Sequence, residues 1–289
     1  MWQEICSHIS EQTKENFSIV HRQSVTGGDI NQSFYITDEL NEYFVKVNKA
    51  QHYDNFLAEA YSLDKIANTE TIRTPAIICH GQTEESSYLV LEWCKLTNGT
   101  SKHWFDLGEQ LATMHLTTEH GEFGWEQNNF IGRTIQPNIW HANWRTFFAE
   151  QRIGWQLQLL KEKSISLGNI NRIVEACHEI LLHHKVVPCL VHGDLWQGNA
   201  GFIGNKPLIF DPACYYGDRE VDIAMTELFG QFPQSFYQGY QDKYPLPPKY
   251  ESRKQVYNFY HILNHANMFG GVYIDQARAI LSRLLAKVR

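Results

Sequence analysis

Asp194 and Asn199 stand five positions apart in the stretch Leu190-Val-His-Gly-Asp-Leu-Trp-Gln-Gly-Asn199, on a predicted loop after an apolar run. A second aspartate, Asp211, ends another short apolar run, Leu208-Ile-Phe210. Three oxygen-bearing side chains at such positions suit transfer of a phosphoryl group to a hydroxyl. One carboxylate orients the attacking hydroxyl, while an amide and a second carboxylate hold Mg²⁺ against nucleotide phosphates. The transition state is loose, so it needs positioned charge more than covalent help. His-Gly-Asp alone is also an ordinary turn, and Asp before Pro an ordinary loop opening. The joint spacing H-x-D-x-x-x-x-N, with an apolar-Asp pair twelve residues beyond Asn199, is what singles out the chemistry. Asp194 is the predicted catalytic base. Asn199 and Asp211 are the predicted Mg²⁺ ligands, hard oxygen donors suited to that ion. His192 is expected to brace the loop. Asp222 is expected to reach beneath it and accept its backbone N–H groups, although pattern alone fits a surface position equally well. Asp218 reads as the N-cap of a helix running through Phe229.

A site of this kind also needs a nucleotide half. Lys46, in the strand Tyr43-Phe-Val-Lys-Val47, shares a face with Phe44 and has Val on either side, so it needs an anionic partner. Glu59 lies within the Phe56, Leu63, Ile66 stripe of a helix over 54–68, and a carboxylate on a buried face needs pairing in turn. Lys46 is expected to bridge the α- and β-phosphates of ATP with Glu59 holding it; a snorkelling Lys and a solvated Glu are the alternative. Gly27 and Gly28 join two strands as a hairpin turn, a geometry that can also fold over phosphates. Glu92, Trp93 and Cys94 end the last N-terminal strand, where backbone groups can bond an adenine.

The predicted elements form a five-strand, one-helix segment, preceded by a helix over 2–13 and followed by a mainly helical region. Strands are expected over 18–25, 33–37, 43–48, 76–81 and 87–93. The lobe boundary falls at 94/95, before the polar break Thr97-Asn-Gly-Thr-Ser101. The later helices are expected over 104–115, 144–160, 170–184, 221–229, 253–269 and 274–287, with short strands over 189–192 and 207–211 carrying the site. The fold class is α+β: a small antiparallel-sheet N-lobe (1–94) and a mainly helical C-lobe (95–289).

The chain has 289 residues, 25 Lys plus Arg against 32 Asp plus Glu, and a net charge of −7. That balance argues against a broad nucleic-acid footprint. No apolar run approaches the roughly 20 residues of a membrane span. The six cysteines are scattered without a C-x-x-C pair, so free thiols in a reducing cytoplasm are expected. The 14 histidines show no metal-ligand spacing, and His183-His184 reads as solvated surface. Oligomeric state is not legible.

Gly193 stands where protein kinases carry an Arg, and only ten residues separate Asp211 from Asp222, too few for a phosphorylated activation loop. A regulated protein kinase is not expected; the acceptor should be a small or flexible hydroxyl compound. The chain resembles the fructosamine (ketosamine) kinases, within the protein-kinase-like aminoglycoside and choline phosphotransferases. The resemblance rests on Gly27-Gly-Asp-Ile-Asn31, Phe44-Val-Lys46, Asn129-Phe-Ile-Gly132, Trp144-Arg-Thr-Phe-Phe148 with Gln151-Arg152, and the two site segments His192–Asn199 and Asp211–Asp222. Leu263-Asn-His265 through Phe269-Gly270 completes it. It implies a two-lobed protein-kinase-like fold and Mg-ATP-dependent phosphorylation of the 3-hydroxyl of a ketosamine, free or protein-linked. The product releases the amine, which amounts to deglycation. It also matches Asp194 to the proton acceptor, Lys46 to the phosphate-binding lysine and Glu92–Cys94 to the ATP hinge. Trp196 can stack on a sugar ring or lid the core. His265 fits a core histidine, though the resemblance favours the acceptor site. An aminoglycoside or choline kinase, or a non-catalytic pseudokinase, is the rival reading.

Overall fold

The computed structural model describes residues 1–25 and 31–288, so Gly27 and Gly28 lie outside the described residues. The chain forms two compact units, Met1–Gly99 with Gly201–Pro212, and Thr100–Ala200 with Ala213–Arg289. The first unit therefore runs five residues past the expected boundary and takes in a later segment. Main-chain bonds tie that segment down: Thr97 N–H donates to Phe202 O at 2.8 Å and Ile209 N–H to Arg73 O at 3.0 Å.

The first unit opens with α1 (Trp2–Thr13), β1 (His21–Val25), β2 (Gln32–Thr37) and β3 (Glu42–Lys49). It continues through α2 (Tyr53–Ala67), β4 (Ile77–Gln82) and β5 (Ser86–Glu92). The strands make one antiparallel sheet in the order β1-β2-β3-β5-β4. Alternation along β3 divides its side chains between two cores. Tyr43, Val45 and Val47 pack with Ile5 and Ile9 of α1. Phe44 packs with Leu89 and Leu91 of β5 and with Phe56, Ala60 and Leu63 of α2. Lys46, two residues beyond Phe44, is thereby committed to the α2 face.

The second unit begins with α3 (Ser101–Thr117), the hairpin β6 (Asn129–Ile131) and β7 (Thr134–Gln136), and α4 (Trp144–Thr146). A π-helical stretch, Phe147–Gly154, leads into α5 (Trp155–Glu162), followed by α6 (Ile170–Leu181) and β8 (Cys189–Val191). The hairpin β9 (Ala200–Ile203) and β10 (Lys206–Ile209) comes next, belonging almost wholly to the first unit. The second unit resumes with β11 (Tyr215–Gly217), which pairs antiparallel with β8 and sets Tyr215 opposite Val191. It ends with α7 (Glu220–Thr226), α8 (Gln234–Lys243), α9 (Tyr250–Phe269) and α10 (Val272–Lys287). Among the described residues no helix is long and apolar enough to cross a membrane.

Several elements depart from the sequence reading for local reasons. The helix expected over 144–160 is π-helical in its middle, where the widened turn carries Phe147 and Arg152, five apart, with the guanidinium 4.6 Å from the ring centroid. Helix α8 went unrecognised because its sequence, QSFYQGYQDK, is polar and buries only Phe236, Gly239 and Tyr240. Strands β6, β7 and β11 are three residues each, too short for an alternation to register. Helix α7 starts at Glu220 after Arg219, so Asp218 is not its N-cap residue, although Glu220 N–H donates to Asp218 Oδ1 at 3.1 Å.

Helices α3 and α8 approach through glycines on both sides. A Cβ on Gly108 would lie 2.1 Å from Phe236 O, and one on Gly239 2.1 Å from Phe105 O. Backbone faces backbone there, so neither side can yield by a rotamer change. Gly108→Ala should therefore lower stability by about 1–3 kcal/mol, the usual cost of overpacking, visible as a reduced urea midpoint with an unchanged m-value.

Candidate active site

In the first unit, Lys46 Nζ lies 2.6 Å from Glu59 Oε1 and 2.5 Å from Asp211 Oδ1. Burial acts to release the Lys46 proton, but the two carboxylates outweigh it and hold the ammonium charged well above the ordinary lysine range. Burial pushes the Glu59 carboxyl up, against the pull of Lys46 and with a further push from Asp211. Only Asp211 of the three reaches solvent substantially, with 44 % of its side chain exposed against 6 % for Lys46. Its backbone takes φ +56°, a left-handed conformation that costs an L-residue about 1 kcal/mol. Strain of that kind persists where the surroundings dictate a geometry, and it clusters at functional positions.

Glu92 is committed to structure: its carboxylate pairs with Arg73 and accepts the Ala76 N–H at 3.2 Å. The Trp93 ring packs against Tyr35 and Phe44. Burial pushes the Cys94 thiol up to about 11. A nucleotide base meeting residues 92–94 would thus find main-chain groups to bond rather than the Glu92 carboxylate.

In the second unit, Asp222 is fully buried rather than at the surface. Its carboxylate accepts the His192 N–H at 2.7 Å and the Gly193 N–H at 2.8 Å, and contacts His115 Nε2 at 3.2 Å. Burial alone would raise its pKa; the hydrogen bond and field of His115, then His192 and the Gly193 N–H, outweigh burial and lower it. The loop above is fastened again where His192 Nδ1 accepts the Asp194 N–H at 3.3 Å. Asn199 donates from Nδ2 to Asp194 O at 2.9 Å and more loosely to Oδ2 at 3.4 Å. That use of the amide nitrogen leaves the amide oxygen as the donor atom suited to a cation. In the first unit the exposed Asp211 carboxylate is likewise a hard oxygen donor, of the kind Mg²⁺ prefers.

Gly193 takes φ +80°, and an added Cβ would sit 2.2 Å from Ala213 O. A longer side chain cannot be carried there, which is why the chain has no Arg at this position. Trp196 and His265 belong to one aromatic row through Phe229, whose ring centroid is 6.5 Å from Trp196 and 4.5 Å from His265. Phe229 and Tyr273 carry no signal of their own in the sequence reading, although the four-residue steps from 261 to 265, 269 and 273 point to Tyr273 beside His265 and Phe269.

His184, expected at the surface, is buried at its side chain and bonds Asp218 Oδ2 at 2.6 Å. Asp218 also accepts from Tyr257 at 2.5 Å, and Arg253 closes a two-pronged pair on Glu220. His184, Asp218 and Glu220 are near enough to share an ion. Their bonds to Tyr257 and Arg253 account for them as a structural charge network.

The sequence profile of the fructosamine kinase family matches residues 1–287. The chain belongs to that family. Two relatives named "probable ketoamine kinase" agree with it over all or nearly all of their length. The one from Vibrio cholerae is 46 % identical over 287 residues, covering 99 % of this chain and 100 % of the relative. The one from Synechocystis is 47 % identical over 285 residues, covering 98 % and 97 %. The crystal structure of a candidate fructosamine-3-kinase from Haemophilus somnus superposes with a TM-score of 0.94 at 34 % identity, covering 99 % of this chain and 98 % of that one. Aminoglycoside phosphotransferase APH(4)-Ia, solved with AMP-PNP and hygromycin B, reaches a TM-score of 0.64 at 12 % identity over 98 % of both chains, which shows a common kinase-like fold. The chain is accordingly α+β, with an antiparallel-sheet N-terminal unit and a mainly helical C-terminal one.

In this family member the Asp222 carboxylate should be worth measuring by an isosteric change. Asp222→Asn replaces one acceptor oxygen by a donor and orphans a loop N–H, so stability should fall by about 1–3 kcal/mol at pH 7, read from urea midpoints. The folded pKa lies below the unfolded one. The gap between the two proteins should therefore hold on acidification to about the unfolded carboxyl value of 3.9 and close only as the pH drops through the lower folded value.

Proposed function

We propose that this protein transfers the γ-phosphoryl group of ATP to the 3-hydroxyl of a ketosamine, so that the glycated amine is afterwards released. Asp194 takes the role of base: it orients the acceptor hydroxyl and receives its proton. Lys46, held by Glu59, answers the charge of the α- and β-phosphates. Asn199 and Asp211 would hold Mg²⁺, which would supply positive charge against that of the phosphates. Main-chain groups of 92–94 bond the adenine, and Trp196 with His265 receives the sugar–amine acceptor. Asp222 and His192 keep the loop in shape. The six free thiols accord with work in a reducing cytoplasm.

The observation that carries the reading is Lys46 fastened between Glu59 and Asp211. A module that only binds has no need for a buried lysine with two carboxylates, one of them on a strained backbone and open to solvent. The acceptor class rests on family membership over residues 1–287.

Asp194→Asn should fold and bind ATP normally while kcat falls by about 10²–10⁴, the usual contribution of a positioned base. Mg-dependent ADP release should be measured with ribulosamine, erythrulosamine and fructosamine, free and on a glycated protein, and with choline and kanamycin in parallel. The ketosamines should drive turnover. Turnover with choline or kanamycin alone would reassign the acceptor, and a folded, ATP-binding protein that turns over none of them would be a binding module.

A further inference from the structure

His261, on α9, is 4 % exposed, and its Nδ1 has no hydrogen-bond partner among the described residues. A buried imidazole nitrogen left unpaired costs stability and calls for a reason. The nearest acidic oxygen is Asp194 Oδ1 at 4.0 Å. The other oxygen of that carboxylate, Oδ2, faces Asn199 Nδ2. We propose that His261 is a positioning residue for Asp194, donating from a neutral Nδ1–H to Oδ1 so that the carboxylate meets the acceptor hydroxyl in one orientation. This rests on the reading of Asp194 as base.

At 4.0 Å the contact is too long for a hydrogen bond. Bonds within catalytic groups are often long without substrate and tighten in the reacting complex. A shift of about 1 Å would close this one to ordinary hydrogen-bond length. The tautomer follows from charge: a lone pair on Nδ1 would face the carboxylate with like polarity, whereas N–H faces it with the opposite one. The imidazole also stays uncharged. Burial comes first in pushing its pKa down to about 3, aided by His265 and Arg152 and opposed by Asp222. Neutrality matters here, because an imidazolium would pair with the base as an ion and make it a weaker proton acceptor. The ring itself is held by the edge of Tyr260, at a centroid distance of 5.1 Å, and the His261 carbonyl lies 2.9 Å from His265 Nδ1.

The test uses the full chain in three measurements. Nitrogen-15 NMR of histidine-labelled protein at pH 6 should show His261 neutral and protonated on Nδ1; a neutral Nε2–H ring or an imidazolium overturns the proposal. His261→Leu should lose roughly 10–100-fold in kcat, less than loss of the base itself, with KM for ATP and acceptor within about twofold. His261→Asn, which keeps a donor, should recover most of that rate. In an Asp194→Asn background, His261→Leu should cost nothing further, since residues acting as a unit are not additive. An unchanged kcat in His261→Leu, or an equal loss in both backgrounds, overturns the proposal. Should His261→Leu fail to fold, the tautomer measured on the unaltered protein decides. Asp194→Asn alone separates the two ideas. If it keeps full turnover the base assignment fails, whereas if it loses turnover and His261→Leu does not, only the present inference falls.

Discussion

A charge taken out of water must be answered within hydrogen-bond reach, and that requirement organises both units of this chain. In the first unit it is the Lys46 ammonium. The side chain leaves a central strand on the face covered by α2, so it cannot reach bulk water, and two carboxylates close on it. One of them, Glu59, comes from the helix that buries the lysine. The other, Asp211, comes from a segment more than a hundred residues later, after the hairpin β9–β10 has bonded back onto Arg73. A single cation thus fastens a helix, a strand and a late hairpin around one point.

In the second unit the buried charge is the Asp222 carboxylate, and the groups that answer it are the main-chain N–H donors of His192 and Gly193. The loop is shaped from beneath by an anion. Its tightness then excludes any residue but glycine at 193, since the Ala213 carbonyl occupies the space a side chain would need. Arg152 solves the same problem differently. It is fully buried, with its guanidinium over the Phe147 and Tyr215 rings and bonded to Pro137 O and Asn138 Oδ1. Asn138 in turn bonds Asn129, and Asn129 and Gln136 hold the Cys214 and Ala213 carbonyls. The polar side chains of the β6–β7 hairpin and its flank therefore fix the main chain just beyond Pro212.

Legibility in the sequence followed the range of the interaction. The Lys46–Glu59 pairing could be read because each residue breaks an apolar pattern on its own element, and a broken pattern announces a buried charge in need of a partner. Asp222 carried a weaker mark, since an acidic residue one turn into a helix is common at surfaces. His184 carried none: it follows another histidine on a polar stretch, and only the folding of Asp218 and Glu220 against it makes it part of a charge network. The π-helical turn and helix α8 were illegible because neither has a periodic apolar signature. The first is decided by an aromatic ring meeting a guanidinium, the second by two glycines that let backbones touch.

By itself the sequence determined the chemistry on offer: which oxygen donors exist, their order along the chain, the strand that presents a lysine, and the family to which the whole belongs. These depend on residue type and short spacing, which local physics is enough to interpret. Tertiary structure alone decided which carboxylate completes the lysine's surroundings, what holds the His192–Asp194 loop from below, and which histidine stands beside Asp194. Those pairings join residues tens to more than a hundred positions apart. No local rule selects among the many polar side chains able to make them, and the choice is settled only when burial removes water as the competing partner.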